Sequence, residues 1–550
     1  MRHAEYYNMT QKFDSLYERA TQNQNFNNLI DIITSRNNIL LAYRELKTNL
    51  GSKTPGCDGL TIKDIESLSN DEFLYEVRKR FKHYRPRKVR RKVITKPNGD
   101  ERPLGIPSIW DRIIQQCILQ ILEPICEAKF YSKSYGFRPN RSTEHAIAEA
   151  VSKINHNNMY YAVKVDIKGF FDNIKHSKLI KQLWSLGIRD KKLLAILKEI
   201  LKAPIQLENG QTIKPTSGTP QGGVISPLLA NVCLNEFDWW VATQWEIFKP
   251  KQWNPKIIEN GPSTHAKVRY AITQQGARLK PMFLVRYADD FVIFTDNEKN
   301  ANKILKACQD WIPTRLSLET SPEKSKIVNL KKHSVEFLGF TIKAIKKGKT
   351  NKRGQSGNKY VAETHVAPKA LARIKTSLNE QIKRIQKSPK SQECIRQIGK
   401  YNSMVIGIHN YYKIATQVNA DFNALAMDIE RRQYNRFEKV PPKAEKSNGF
   451  TKHGSYKGNE GYKPYLQSKM MRYLMQYPIL PIGYVQTRNP MRKNKAINKY
   501  TARGRELIHK NLSNVTEYEL RYLRENPIIN ERATIEYNEN RIFKIRCTKR

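Results

Sequence analysis

The sequence has few cysteines, and they form no recognisable pattern. Seven cysteines are scattered over 550 residues, and no two of them form a Cys-x-x-Cys pair. An odd and dispersed set argues against a disulfide framework or a structural zinc site and fits a reducing compartment. No stretch has the length of a transmembrane helix, and the first residues lack an apolar core of signal-peptide length. We therefore expect a soluble cytoplasmic protein with no membrane partner.

Acidic residues are also scarce. The chain has 51 Asp and Glu against 97 Lys and Arg, a formal net charge of +46. Such an excess is typical of a protein that binds a polyanion. The sharper interpretation is a nucleic-acid enzyme with a long basic surface. A merely soluble basic protein would carry the same charge, and a membrane surface is a weaker third option. Charge alone does not decide between these classes.

The hydrophobic pattern of the first two thirds of the chain mixes strands with helices. Strand-like runs at 160–167, 283–294 and 335–342 are separated by long helical patterns, and the segment KPNGDER predicts a hairpin. Interleaved strands and helices indicate an α+β core. Residues 245–280 follow a looser pattern, which is typical of an insertion between core elements.

The last third has a different character. After residue 365, apolar residues recur at steps of three and four with Lys and Arg between them, which predicts a basic helical unit. Two further helices are predicted near 393–412 and 418–437. From about residue 440, a composition rich in Lys, Gly and Tyr indicates a separate small domain. Because the chain is too long for one ordinary core, we expect several domains packed together.

The most informative local pattern is FLVRYADDFVIF at 283–294, in which two apolar strand halves enclose Asp289 and Asp290. A tight hairpin here would place paired carboxylates at its tip. Adjacent acidic residues usually lie in a turn or on a solvated face. Buried unpaired carboxylates are costly, however, and a bound divalent cation would remove that cost.

A second acidic position is Asp166, which lies in a strand-like run. Val163, Val165 and Ile167 of that run point one way by the period of two, so Asp166 points the other way. Taken alone, Asp166 is better explained as a cap of the next helix. Together with Asp289 and Asp290, it could hold two Mg²⁺ ions roughly 4 Å apart, as an in-line phosphoryl displacement requires. Hard oxygen ligands favour Mg²⁺, with Mn²⁺ as a substitute.

A glycine-rich loop, SGTPQGG at 217–223, precedes an apolar helical pattern. Glycine lets a ligand or another strand approach the backbone closely. Such loops are common without function, so this one by itself is weak evidence for phosphate binding.

Taken together, these segments resemble the reverse transcriptase of bacterial group II intron-encoded proteins. YADD, DIKGFFDNI, SGTPQGG and LGF at 338–340 occur in the order of the family's palm, and RPLGIPSIWDRIIQQ and SYGFRPNRSTEHAI are similar to its fingers motifs. The resemblance implies an α+β right-hand polymerase. Its implied parts are an N-terminal extension at 1–34, fingers and palm at 35–345, an α-helical thumb (maturase domain X) at 360–440 and a small basic DNA-binding domain at 445–530.

The resemblance also implies roles for particular residues. The catalytic, metal-binding acids are Asp166, Asp289 and Asp290, and Lys324 matches a lysine that protonates pyrophosphate. Contacts to dNTP and primer–template are implied for Lys96, Arg102, Phe171, Gln221 and Gly222, with Phe171 as the gate against a 2′-hydroxyl. Cations suited to RNA or DNA phosphates are Lys369, Arg373, Lys383, Arg384, Arg488 and Arg492. Tyrosines of the C-terminal domain, Tyr465 among them, are expected to stack on bases.

The implied function is RNA-directed DNA synthesis on group II intron RNA, primed from target DNA, together with binding of that RNA to assist splicing. A reverse transcriptase recruited to a host or defence role and a splicing-only maturase remain alternatives, and a homodimer stays open. Nucleoid association is expected when the protein is bound to DNA. Many members of the family that the chain resembles continue into a zinc-stabilised HNH endonuclease. Residues 531–550 hold only Cys547, which predicts that this nuclease is absent.

Overall fold

The computed structural model describes residues 2–95, 101–220, 222–247, 279–352, 355–388, 391–437, 450–451, 454, 460–510, 533–537 and 543–547. The first helices in these ranges are α1 (Arg2–Tyr6), α2 (Thr10–Thr21), α3 (Leu29–Ile33), α4 (Arg36–Lys47), α5 (Ile62–Ile65), α6 (Asn70–Lys82), α7 (Ile109–Glu127), α8 (Thr143–Asn155) and α9 (Phe170–Asn173). They are followed by α10 (His176–Ser185), α11 (Lys191–Leu201), α12 (Ser226–Gln244), α13 (Glu298–Trp311), α14 (Pro368–Gln386), α15 (Ser391–Tyr412), α16 (Val418–Phe437) and α17 (Ala502–Lys510). Within these described ranges, no helix is long and apolar enough to cross a membrane.

The strands complete the list of regular elements. In the first half of the chain they are β1 (Val89–Thr95), β2 (Glu101–Ile106), β3 (Tyr161–Lys164), β4 (Ile205–Gln206) and β5 (Thr212–Ile213). The second half adds β6 (Phe283–Tyr287), β7 (Asp290–Thr295), β8 (Lys326–Asn329), β9 (Val335–Phe337), β10 (Phe340–Lys352), β11 (Gln355–Val366), β12 (Arg472–Leu474), β13 (Tyr477–Ile479), β14 (Ala533–Tyr537) and β15 (Phe543–Cys547).

An antiparallel sheet of order β6-β7-β3-β8 carries the segments that the sequence marks as chemical. Val163 of β3 lies opposite Ile293 of β7 on one side and Ile327 of β8 on the other. Val163, Val165 and Ile167 are buried, as the period of two predicts. Helices α8 and α12 pack against β6, and α13 packs against β3 and β8. The predicted α+β core is therefore confirmed.

A second sheet, of order β2-β1-β4-β5, lies earlier in the chain. Its strands β1 and β2 form the antiparallel pair that the KPNGDER segment predicts, with Ile94 opposite Arg102. The connection at 96–100, with Lys96, lies outside the described residues.

A third sheet, β9-β10-β11, was only half predicted from the sequence. The run at 335–342 predicts one strand, but the structure divides it into β9 and β10 at the turn Leu338–Gly339. The strand β10 then continues to Lys352 and pairs with β11, with a register shift between Lys346 and Lys349. The sequence KKGKTNK in this hairpin has no apolar residues at every second position, so the pattern did not predict a strand there.

The three helices α14, α15 and α16 form the basic helical unit predicted after residue 365. Ile374, Leu378, Ile382 and Ile385 of α14 are buried, and α14 packs against both α15 and α16. The apolar stripe thus faces the neighbouring helices, which leaves the basic side chains of α14 outside.

The segment after α16 runs back over the rest of the molecule. Its residues 488–505, which we name the C-terminal strap, form ion pairs between Arg488 and Glu144 and between Arg505 and Asp14. One continuous set of buried apolar side chains extends from Met9 to Tyr500 among the described residues. The parts that the sequence separates by composition therefore share one core.

Candidate active site

The acidic hairpin forms as predicted. Tyr287 at the end of β6 pairs with Asp290 at the start of β7, so Ala288 and Asp289 form a two-residue turn. Asp289 is exposed at the tip, and Asp290 is half-buried. Ala288 has a φ of 57°, a left-handed conformation that a non-glycine residue keeps only where its surroundings hold it.

A buried arginine supplies that support. Arg286 makes a two-point ion pair with Asp238 of α12, with Nε to Oδ1 at 2.6 Å and Nη2 to Oδ2 at 2.5 Å. Its Nη1 donates to the carbonyl oxygen of Ala288 at 2.7 Å and to Oδ1 of Asn231 at 3.0 Å. The side chains of Arg286 and Asp238 are 1% and 0% exposed, so the pair is shielded from solvent competition.

The SYGFRPN segment backs the same turn. The backbone nitrogen of Tyr135 donates to the carbonyl oxygen of Arg286 at 2.8 Å, and Asn231 donates to the carbonyl oxygen of Gly136 at 2.8 Å. A Cβ at Gly136 would lie 2.3 Å from the nitrogen of Ala288, so only glycine fits here. Sequence reasoning did not single out Arg286, Asp238, Asn231 or Gly136, although an Arg in an otherwise apolar strand was a usable signal.

Asp166 comes level with the acidic hairpin through the pairing of β3 with β7. The register sets Lys164 opposite Val292, and two residues further on, just beyond the end of β3, Asp166 is level with Asp290. Lys164 forms an ion pair with Asp290, Nζ to Oδ1 at 3.1 Å. The structure thus brings the predicted acids to neighbouring positions, with one ammonium group beside Asp290.

Their donor chemistry decides whether metal ions fit. In the described ranges, no three His, Cys, Asp or Glu side chains stand close enough together to hold a metal ion as they are. Asp166, Asp289 and Asp290 offer only carboxylate oxygens, which are the ligands that Mg²⁺ and Mn²⁺ prefer. Because the Lys164 side chain is flexible and 22% exposed, it can turn away from Asp290. The residues present therefore fit divalent cations of this hard class.

The aromatic residue and the glycine-rich loop meet beside these acids. Half-buried Phe171 lies edge-on to buried Phe170, and its carbonyl oxygen accepts from the nitrogen of Thr219 at 2.7 Å. Gly218 has a φ of 91°, and its nitrogen donates to the carbonyl oxygen of Ile174 at 2.8 Å. The loop is thus bound to the backbone that follows β3, which places Phe171 next to it.

Gly222 has a structural reason to be glycine. It has a φ of 117°, and a Cβ there would lie 2.4 Å from the carbonyl oxygen of Gly105 in β2. The loop therefore touches the strand that carries Arg102, of which the structure describes only the backbone position. Gln221, like Lys96, lies outside the described residues.

Lys324 occupies an exposed turn before β8. That turn is hydrogen-bonded to the backbone of Asp166. The backbone nitrogen of Ser321 donates to the carbonyl oxygen of Asp166 at 2.8 Å, and the backbone nitrogen of Asp166 donates to Oγ of Ser325 at 3.2 Å. Lys324 is therefore placed on the segment that borders Asp166.

The GIHNYY segment of α15 packs against the LGF turn. Tyr411 donates to the carbonyl oxygen of Leu338 at 3.0 Å and stacks on Phe340, and the hydroxyl of Tyr412 lies 3.1 Å from the Cβ position of Gly339. Tyr411 and Leu338 are 73 residues apart in the sequence, and the structure brings them together.

The cations predicted to bind nucleic acid fall into two groups. Lys369, Arg373, Lys383 and Arg384 are all exposed on α14. Arg488 is engaged in the ion pair with Glu144, and exposed Arg492 lies with Nη2 3.5 Å from Nδ1 of His156.

The expectation that Tyr465 stacks on bases is wrong. The residue is only 8% exposed, and its hydroxyl donates to Nδ1 of His409 at 2.8 Å, while Nε2 of His409 donates to the carbonyl oxygen of Ile482 at 2.8 Å. Burial lowers the pKa of His409 to about 4, so this imidazole is neutral near pH 7. Tyr465 thus joins α15 to the segment that follows α16.

The site combines an antiparallel sheet in an α+β core, an acidic hairpin at the edge of that sheet, and an aromatic residue and a glycine-rich loop beside the hairpin. This is the arrangement of a template-directed nucleic-acid polymerase. Residues 94–342 match the family described as reverse transcriptase (RNA-dependent DNA polymerase). The protein YkfC of Escherichia coli (strain K12) is 32% identical over 62% of this chain and 88% of its own length. The group II intron-encoded protein LtrA of Lactococcus lactis subsp. cremoris is 31% identical over 74% of each chain. Nuclear intron maturase 2, mitochondrial, of Arabidopsis thaliana is 25% identical over 56% of this chain and 49% of its own. The chain belongs to the family of group II intron-encoded reverse transcriptases, and the resemblance seen in its motifs is confirmed.

Proposed function

We propose that this reverse transcriptase copies group II intron RNA from a primer in target DNA and binds the same RNA to assist its splicing. The observation that carries the catalytic part is the register of β3 with β7, which sets Asp166 level with the hairpin that presents Asp289 and Asp290. The exposed basic face of α14 supports the RNA-binding part.

Asp166, Asp289 and Asp290 would hold two Mg²⁺ ions, for which Mn²⁺ would substitute. When bound, such ions promote deprotonation of the attacking hydroxyl and stabilise charge on the leaving group. The protein contributes position: Arg286 holds the turn below Asp289, and Lys164 balances the charge of Asp290.

The nucleotide site lies around the glycine-rich loop in this proposal. Phe171 would contact the sugar, Gln221 and Gly222 the nascent base pair, and the strands β1 and β2 would bring Lys96 and Arg102 to the triphosphate. A planar guanidinium and a flexible ammonium suit phosphate oxygens. Exposed Lys324 would donate the proton to the departing pyrophosphate.

Phe171→Ala is expected to raise the ratio of ribonucleotide to deoxynucleotide incorporation by about 10- to 100-fold, because the lost ring would vacate the space of a 2′-hydroxyl. Single-nucleotide extension, with kcat/KM measured for each nucleotide, tests this. Phe171→Tyr keeps the bulk and serves as the control. An unchanged ratio in Phe171→Ala would place the gate at another residue.

We further propose that residues 360–440 are the thumb and residues 445–530 a DNA-binding domain. The thumb assignment is supported by the packing of Tyr411 and Tyr412 against the turn at Leu338 and Gly339, which links the helical unit to the polymerase sheet.

Splicing and polymerisation should be separable. The variant Asp289→Ala is expected to promote splicing of the cognate intron at the wild-type level, because folding RNA requires a wide basic surface rather than the metals. Replacing Lys369, Arg373, Lys383 and Arg384 with Gln should lower the slope of log RNA affinity against log salt by about 3 and weaken splicing more than extension on a short template.

The control replaces three exposed cations of α13, Lys299, Lys303 and Lys306, with Gln. This control should splice as the wild type does. If Asp289→Ala binds RNA but fails to splice, the two activities share one site and the proposed division is wrong.

A further inference from the structure

A cavity of about 620 Å³ lies where the C-terminal strap crosses the segment after α7 and the end of α8. Seven of the charged side chains that line it are basic and two are acidic, Glu127 and Glu149. Tyr17, Asn157 and Asn498 add hydrogen-bonding groups to the wall. The cavity has the size of a small-ligand site and contains far more positive than negative charge.

Both carboxylates are already shared between cations. Glu149 pairs with Lys133 at 2.6 Å and with Lys153 at 2.8 Å. Glu127 binds Arg138 at 2.8 Å through both of its oxygens and also receives Nη2 of Arg141 at 3.4 Å. Lys153 also pairs with Glu246 at 3.4 Å. Glu127 and Glu149 are thus each shared between two cations, and the strap adds Lys493 to a site whose carboxylates are already paired.

Two of the cations, Arg141 and Lys493, show the excess of positive charge directly. The Nε of Arg141 is buried without a hydrogen-bond partner. Lys493 of the strap donates to the carbonyl oxygens of Asn494, at 2.8 Å, and Ile497. Burial lowers the pKa of Lys493 to about 8, with Arg141 lowering it further, Glu127 opposing and Arg138 adding a smaller effect. Such a cluster is stabilised by an anion that brings its own charge and several acceptor oxygens.

We propose that this cavity binds a phosphate of the RNA backbone, with Arg141 and Lys493 as its principal donors. The inference rests on the proposed RNA-binding function and deepens it by naming where a strand is held away from the catalytic acids. RNA is favoured as the source because the enzyme uses an RNA template and because the cavity is open to solvent beside exposed Arg492 and Lys495.

The cavity also lies behind the catalytic hairpin. Tyr135 lines it, and the backbone nitrogen of the same residue donates to the carbonyl oxygen of Arg286 at 2.8 Å. The adjoining Gly136 packs against Ala288. RNA in the cavity therefore contacts the segment that supports the acidic turn from its other side.

The test compares Lys493→Gln with the wild type in binding to a single-stranded RNA oligonucleotide over a range of salt. We expect affinity at low salt to fall about tenfold and the slope of log affinity against log salt to decrease by about 0.7, the contribution of one phosphate contact. Lys493→Arg should restore both values because it keeps the charge. Lys299→Gln, which removes one exposed charge from α13, is the control. It should change the affinity and the salt slope less than Lys493→Gln does.

Amine acetylation followed by mass spectrometry locates the contact. RNA should protect Lys493 in the wild-type protein, whereas inorganic phosphate at the same phosphate concentration should protect it less. Equal RNA binding by the wild type and Lys493→Gln, or protection by inorganic phosphate but not by RNA, would overturn the proposal. If the wild-type protein itself fails to bind RNA, the proposed function fails as well, so the two failures are distinguishable.

Discussion

Primer extension is expected to fall by at least about a thousandfold when Asp289 and Asp290 are both replaced with alanine, because metal ions supply several kcal/mol of charge stabilisation in the transition state. The two side chains occupy the tip and the first strand position of a tight hairpin, which are the positions proposed to hold the metal ions. Affinity for RNA should remain close to that of the wild type, since the basic surface is unchanged.

The measurement is single-turnover extension of a DNA primer on an RNA template, with Mg²⁺ and separately with Mn²⁺. Asp310→Ala, which removes an exposed carboxylate from α13, is the matched control and should extend normally. Loss of the Asp290–Lys164 pair should cost less than about 1 kcal/mol, because the pair is partly exposed. Extension near the wild-type rate by the double variant would refute the assignment of the acids.

The second large effect concerns the buried pair below the hairpin. Asp238→Ala is expected to destabilise the protein by about 3–5 kcal/mol, because it leaves the Arg286 guanidinium buried without its counter-charge. Urea titration measures the change in the free energy of unfolding. Asp71→Ala is the control, because its ion pair with Arg36 is exposed and should contribute under about 1 kcal/mol.

A double replacement separates stability from positioning. Arg286→Met combined with Asp238→Leu removes both charges and should recover part of the lost stability, as apolar replacements of buried pairs often do. Extension should nevertheless stay about 10- to 100-fold below the wild type, because the carbonyl oxygen of Ala288 has lost its donor and the turn that carries Asp289 is no longer held. Full activity in the double variant would show that Arg286 acts on stability alone.

Much of the site could be predicted because its signals are local. Two apolar strand halves that enclose a pair of acids predict a hairpin, and the helices α14 to α16 follow from apolar residues spaced at steps of three and four. The long hairpin of β10 and β11 escaped prediction because its Lys-rich residues have no alternating pattern. Tyr465 was misassigned because composition cannot tell a buried tyrosine from an exposed one.

The sequence by itself determined the α+β class, the acidic hairpin, the basic helical unit and the order of the polymerase motifs, since each depends on residues close together in the chain. Only the tertiary structure decided which distant groups meet. Arg286 finds Asp238 48 residues away, Gly222 meets the backbone of Gly105, and Arg505 reaches Asp14 across 491 residues. The physical reason is that periodicity reports whether a side chain is buried, whereas the partner of a buried charge or a close-packed glycine is set by how whole elements pack.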